Sequence, residues 1–133
     1  MGKTVLIFGT FDGIHEGHRA LFAEAKTYGD RLLVVVARDI TVETLKRHRP
    51  KYTEEERQAA LRQEPLVDAV HIGDDVLGDY EVLKRFRPDV VGIGYDQEEL
   101  FIDLERWKTA NRPDLVLVRL HPFEPASYKS SLL

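Results

Sequence analysis

Apolar residues gather in five short runs along this chain, and between most of them the pattern switches to a helical period. Val5-Leu6-Ile7-Phe8 and Leu32-Leu33-Val34-Val35-Val36-Ala37 are unbroken, the pattern of parallel strands buried on both faces. Shorter runs fall at 68–72, 89–93 and 114–118. Over 16–28, Leu21, Phe22, Ala25 and Tyr28 share one helical face. Thr53 and Glu56 form a capping-box pattern ahead of a helix that reaches about residue 63. Two more helices are predicted, one over 79–86 that stops before Pro88 and one over 98–110 bearing Phe101, Leu104 and Trp107. The stretch from the second strand to Thr53 reads as a loop. Strands alternating with helices imply an α/β fold, a three-layer Rossmann-like arrangement with a five-stranded parallel sheet flanked by helices. A single domain over 1–133 is expected, long enough to bury a sizeable core.

Sheets of this kind bind ligands beyond the carboxyl ends of their strands, near the point where strand order reverses. The unusual residues fall there. His15 and His18 follow the first strand, Arg38-Asp39 the second, Gly73-Asp74 the third, and Gly94-Tyr95-Asp96-Gln97 the fourth. The stretch after the first strand is the richest, with a glycine-punctuated turn that opens a helix. A helix start presents unpaired N–H groups and the positive end of its dipole, so it attracts phosphate. Three residues apart at such a start, His15 and His18 lie on one side. Their imidazoles are suited to donate hydrogen bonds to phosphoryl oxygens as charge develops. Gly17 would let a phosphate approach the backbone closely, and Gly9 would open the turn. Neither a Walker loop nor the dinucleotide glycine fingerprint occurs. Zinc is the rival reading of the histidines, but it lacks a third ligand at suitable spacing, since His71 and His121 lie on other segments.

Composition narrows the partners. A net charge of −4 argues against a nucleic-acid groove or an anionic membrane as the main partner. Local basic clusters still serve nucleotides, and Lys46, Arg47, His48, Arg49 and Lys51 form the one charge run, a solvated surface being the plain alternative. The absence of cysteine, of any apolar run of membrane-span length and of a signal-peptide pattern leads to a cytoplasmic expectation.

Gly9-Thr10-Phe11-Asp12-Gly13-Ile14-His15-Glu16-Gly17-His18 resembles the HxGH nucleotidyltransferases, whose signature Gly-Thr-Phe-Asp-x-x-His-x-Gly-His it matches in full. The likeness to small cytidylyltransferase-like members covers almost the whole chain. Val36-Ala37-Arg38-Asp39, Pro50, Glu56-Arg57, Val67-Asp68-Ala69-Val70 and Gly94-Tyr95-Asp96-Gln97 look most like the archaeal-type FAD synthases, which adenylylate FMN. Glycerol-3-phosphate cytidylyltransferases share the first motif but carry an acidic-aromatic sequence where Asp96-Gln97 stand.

The resemblance implies in-line attack by an acceptor phosphate on the α-phosphate of a nucleoside triphosphate. Pyrophosphate leaves, and Mg²⁺ is held mostly by the triphosphate and water. It implies catalytic roles for His15, His18, Lys51 and Arg57. Nucleotide contacts are implied for Gly9, Thr10, Phe11, Asp12, His15, Gly17, His18, Lys46, Asp96, Ser130 and Ser131, with Asp12 also shaping the turn. Asp39 and Tyr95 are the implied acceptor contacts. ATP is the favoured donor over CTP, FMN or another small phosphate the acceptor, and a homodimer is implied by the family alone. Three alternatives stay open: CTP-dependent transfer to glycerol 3-phosphate, a non-catalytic nucleotide-binding module, and plain structural roles for Asp39 as a helix cap and Arg57 as a helix arginine.

Overall fold

Burial on both faces of the apolar runs is satisfied by one parallel sheet between two helical layers. The computed structural model describes residues 2–74 and 78–122. In chain order the elements are β1 (Thr4–Gly9), α1 (Glu16–Lys26), β2 (Arg31–Val36), α2 (Asp39–Lys46) and α3 (Glu54–Arg62), then β3 (Ala69–Ile72), α4 (Glu81–Phe86), β4 (Val90–Ile93), α5 (Glu98–Asn111) and β5 (Val116–Arg119). The strands pair in the order β3-β2-β1-β4-β5, all parallel. This is the expected Rossmann-like sheet.

The period-two alternation of the strands divides the core. Val5, Ile7, Val34, Val36 and Val70 pack with Phe22 and Ala25 of α1 and Leu61 of α3. Leu6, Leu33, Val35 and Val91 point the other way and pack with Val82 and Leu83 of α4 and Leu104 of α5. Full burial of each such aliphatic side chain contributes about 1.5–3 kcal/mol, which makes the sheet a rigid base for its loops. Strand order reverses between β1 and β4, so the crevice that can take a ligand lies beyond Gly9 and Ile93.

Helix α4 starts at Glu81 instead of 79, and two further differences bear on the site. β5 starts at Val116 instead of 114, because Leu115 closes a turn onto the Arg112 carbonyl and buries its side chain. Helix α2 has no counterpart in the hydrophobic pattern. Ile40, Thr41, Val42 and Thr44 are β-branched and disfavour a helix. What holds it is tertiary: the Asp39 N–H donates to Glu54 Oε1 at 2.8 Å, and Val42 is buried. Lys46 therefore ends a helix and does not lie in a loop. Among the described residues no helix is long and apolar enough to cross a membrane.

Because Val42 is the one buried side chain of α2, Val42→Ala is expected to loosen this helix selectively. Hydrogen exchange should quicken at the amides of 39–46 while those of β1 and β2 keep their protection. Uniform acceleration across the sheet would contradict the assignment.

Candidate active site

The chain leaves β1 at Gly9 and enters α1 through a tight turn. Phe11 takes a left-handed conformation (φ 53°) that a bulky residue rarely adopts. Packing holds it there: its buried ring sits 5.7 Å from Phe22 and edge-on to His18 at 5.2 Å. A Cβ on Gly9 would lie 2.5 Å from that ring, so the glycine makes room for Phe11.

The helix start is capped by the two imidazoles. Nδ1 of His15 accepts the Gly17 N–H at 3.0 Å, and Nδ1 of His18 accepts the His15 N–H at 3.2 Å, a reciprocal capping box. Backbone N–H groups can only donate, so both Nδ1 atoms are unprotonated. The proton of each neutral ring therefore sits on Nε2, on the far side from the helix, where it is a donor. The rings stack 3.9 Å apart. Burial lowers the His18 pKa below its ordinary value and the neighbouring His15 lowers it further, while Asp96 opposes them. His18 is thus a neutral Nε2–H donor at pH 7.

Across the strand reversal, Asp96 follows β4, close enough for its charge to act on His18. Gln97 clips the two central strands together. Its Nε2 donates to the Phe8 carbonyl at 3.0 Å, and its Oε1 accepts the Gly94 N–H at 2.8 Å. The floor of the site is built by Arg57, which is 1% exposed. Its Nε donates to the Tyr52 carbonyl (3.0 Å), Nη1 to the carbonyls of Thr10 and Ala37 (2.8 Å each), and Nη2 to Asp39 Oδ1 (2.7 Å). Asp12 makes a second clamp by accepting the N–H groups of Lys51 (2.7 Å) and Tyr52 (2.9 Å). Burial pushes the Asp12 carboxyl up, but these two donors and the charges of Arg57 and Lys46 outweigh it and hold the pKa below its usual value.

A paired set of Nε2–H donors on a helix start, at the strand reversal of a 3-2-1-4-5 sheet, is an arrangement for binding phosphate. The cytidylyltransferase-like family model matches residues 6–130. The chain belongs to the cytidylyltransferase-like family. Its relatives include the FAD synthases of Thermococcus onnurineus (44% identical, covering 70% of this chain and 62% of the relative) and Thermococcus kodakarensis (43%, covering 78% and 68%). That of Ferroglobus placidus is 36% identical over 88% of this chain and 76% of its own. The chain thus spans under two thirds of the first relative's length. Among solved structures it is similar to the lipopolysaccharide core biosynthesis protein of Thermoplasma volcanium, with a TM-score of 0.80 and 30% identity over 92% of this chain and 99% of that one.

Set against the expected site of a cytidylyltransferase-like protein, the structure gathers His15, Gly17, His18 and the Thr10 backbone on the β1–α1 turn and brings Asp96 to them from β4. Lys46 and Lys51 are exposed on the neighbouring rim, and both act on Asp12, one by its charge and the other through its N–H. Tyr95 is exposed beside Asp96 and free to meet a ligand. Ser130 and Ser131 lie outside the described residues.

Two expectations change, those for Arg57 and Phe11, and the partners of Asp39 and Asp12 are now defined. Arg57 does not face the crevice: it is buried, with its nitrogens directed at three carbonyls and Asp39. Asp39 is the counter-ion that a buried guanidinium requires, through Oδ1, while its side chain stays 32% exposed. Phe11 is core and supports His18 from behind. Asp12 accepts one N–H of the 51–52 backbone on each oxygen, which is the turn-shaping role expected of it, and each oxygen keeps a second lone pair. His71 on β3 and His121 beyond β5 stand at opposite edges of the sheet and do not converge. The sequence assigns no role to Gln97 or Glu54: Gln97 belongs to the Gly94–Gln97 motif after β4, whereas nothing local to Glu54 points to its partner on α2.

Arg57→Lys is expected to lose about 2–4 kcal/mol of stability, since an ammonium cannot serve this forked set of acceptors. Thermal or denaturant unfolding checks this, and a loss of catalysis with full stability would contradict the buried role. A pH effect follows from His18. Its folded pKa lies below its unfolded one, so the unfolded chain binds more protons in that window and stability rises with pH. The contribution is complete above about 6.5 and is lost as pH falls through the lowered value. Melting temperature should therefore drop on acidification, with a shallower slope in His18→Asn than in the wild type.

Proposed function

We propose that this cytidylyltransferase-like chain is a cytoplasmic, single-domain enzyme that transfers the adenylyl group of ATP to FMN, giving FAD and pyrophosphate. A phosphate oxygen of FMN forms a bond to the α-phosphorus of ATP. The bond from that phosphorus to the bridging oxygen of the β-phosphate breaks, and its electron pair leaves with pyrophosphate. ATP enters as its Mg²⁺ complex, with water and the triphosphate as the main ligands of the ion.

The observation that carries this reading is the double capping, which commits both histidines to Nε2–H at the dipole-positive end of α1. Such fixed donors stabilise charge that builds up on phosphoryl oxygens in the transition state without reorganising. Lys46 and Lys51 supply mobile positive charge from the rim, and Asp96 is positioned to accept from the nucleoside. Choice of FMN as acceptor rests on the relatives that bear the name FAD synthase.

Pyrophosphate release measured with ATP or CTP against FMN or glycerol 3-phosphate tests the reading, with turnover expected for ATP and FMN. His18→Ala should cut kcat by about a hundredfold while the KM for ATP changes little. Turnover with CTP and glycerol 3-phosphate alone would overturn the acceptor, and an unchanged kcat in His18→Ala would overturn the mechanism.

A further inference from the structure

We infer that the cavity between β3 and α4 seats the isoalloxazine ring of the acceptor, an inference that rests on the FMN reading above. Helix α4 has only six residues, too few to cover the face of edge strand β3. It leaves a cavity of about 300 Å³, lined in part by Arg38, His71, Gly73, Asp74, Arg85 and Phe86. That volume is at the lower end for small-molecule sites.

Its place in the fold suits an acceptor whose phosphate must reach the crevice at β1. Gly9 is in register with Val36, and Val36 with Ile72, so the carboxyl ends of β1, β2 and β3 are level. Two strand spacings put the end of β3 about 10 Å from the end of β1. A ribityl chain, extended between phosphate and ring, crosses most of that gap. Glycerol phosphate is too short to do so and would leave the cavity empty.

The walls match a flat heterocycle. The rings of His71 and Phe86 lie 4.2 Å apart, and the Arg85 guanidinium stands 5.0 Å from the Phe86 centroid on its ring face. This makes an aromatic and cationic wall of the kind on which planar rings stack. Arg85 brings donors suited to the ring carbonyls, and Asp74 brings an acceptor suited to the ring N–H.

A polar chain also joins this wall to the transfer site. Arg38 Nε donates to the Gly73 carbonyl at 2.7 Å, and its Nη1 lies 3.6 Å from Glu54 Oε2. Glu54 caps Asp39, Asp39 pairs with Arg57, and Arg57 holds the Thr10 carbonyl. Ring seat and phosphate turn are therefore linked by one chain of hydrogen bonds and an Arg38–Glu54 ion pair.

Gly73→Leu is the direct test. A Cβ there meets Val36 O at 3.4 Å and Val35 Cγ1 at 3.5 Å, ordinary contacts, so the backbone accepts a side chain that fills the cavity from the α4 side. FMN is titrated into the wild type, Gly73→Leu, Phe86→Leu and Arg85→Ala, with flavin fluorescence quenching as the readout. KM values for FMN and ATP and melting curves accompany each titration. The Kd and KM for FMN are expected to rise about tenfold in Gly73→Leu and Phe86→Leu, with the KM for ATP within about twofold of wild type. Arg85 is exposed, so Arg85→Ala keeps the test open if either core-facing variant fails to fold. Unchanged FMN affinity in the folded variants, or an equal rise in both KM values, overturns the cavity assignment and leaves the FAD-synthase reading standing. A wild type that neither quenches FMN nor forms FAD overturns that reading itself.

Discussion

The site depends on one buried guanidinium. Taking a charged group out of water costs several kcal/mol unless partners replace the solvent. Arg57 recovers this through Asp39 and the carbonyls of Thr10, Ala37 and Tyr52. Those partners come from the loop after β1, the loop after β2 and the turn before α3. Three segments are thereby held in register by one side chain, and Asp12 repeats the device from the other direction. The Asp12 clamp ties the Lys51–Tyr52 backbone to the β1–α1 turn.

The helix start shows a second economy. The bonds that cap α1 are the bonds that choose the tautomer of both histidines. A serine or aspartate would cap as well, but would offer no outward N–H. Stability and chemistry are therefore coupled in the same atoms. Acid that protonates Nδ1 removes a cap, while Nε2–H stays a donor in the imidazolium. Phe11 supports this from behind, held in a strained conformation by Phe22 and by the space left at Gly9.

Chemistry spreads along the sheet edge because the parallel register keeps strand ends level. β1 brings the phosphate turn, β4 brings Asp96, and Gln97 fixes their separation by bonding across both strand ends. On the other side, Arg38 links the β2 loop to Gly73 and so to the cavity under α4. A bipartite acceptor, charged at one end and aromatic at the other, fits an edge organised in this way.

Much of this was written in local pattern. Unbroken β-branched runs identify buried parallel strands, alternation with helical periods implies the sheet, and ten residues after β1 place two histidines on a helix start. These features depend on neighbours within a turn or a strand, so the chain alone determines them. Tertiary structure decided the rest. The α2 helix exists against its own propensities because Glu54 and a pocket for Val42 supply what the segment lacks. Arg57 sits in a helix pattern that reads as phosphate-binding or, failing that, as exposed, and only the convergence of carbonyls from residues 10, 37 and 52 settles that it is buried. The roles of Asp39, Gln97 and the open face of β3 belong to the same class. Each is set by partners distant along the chain, and no local spacing encodes which groups the fold will bring together.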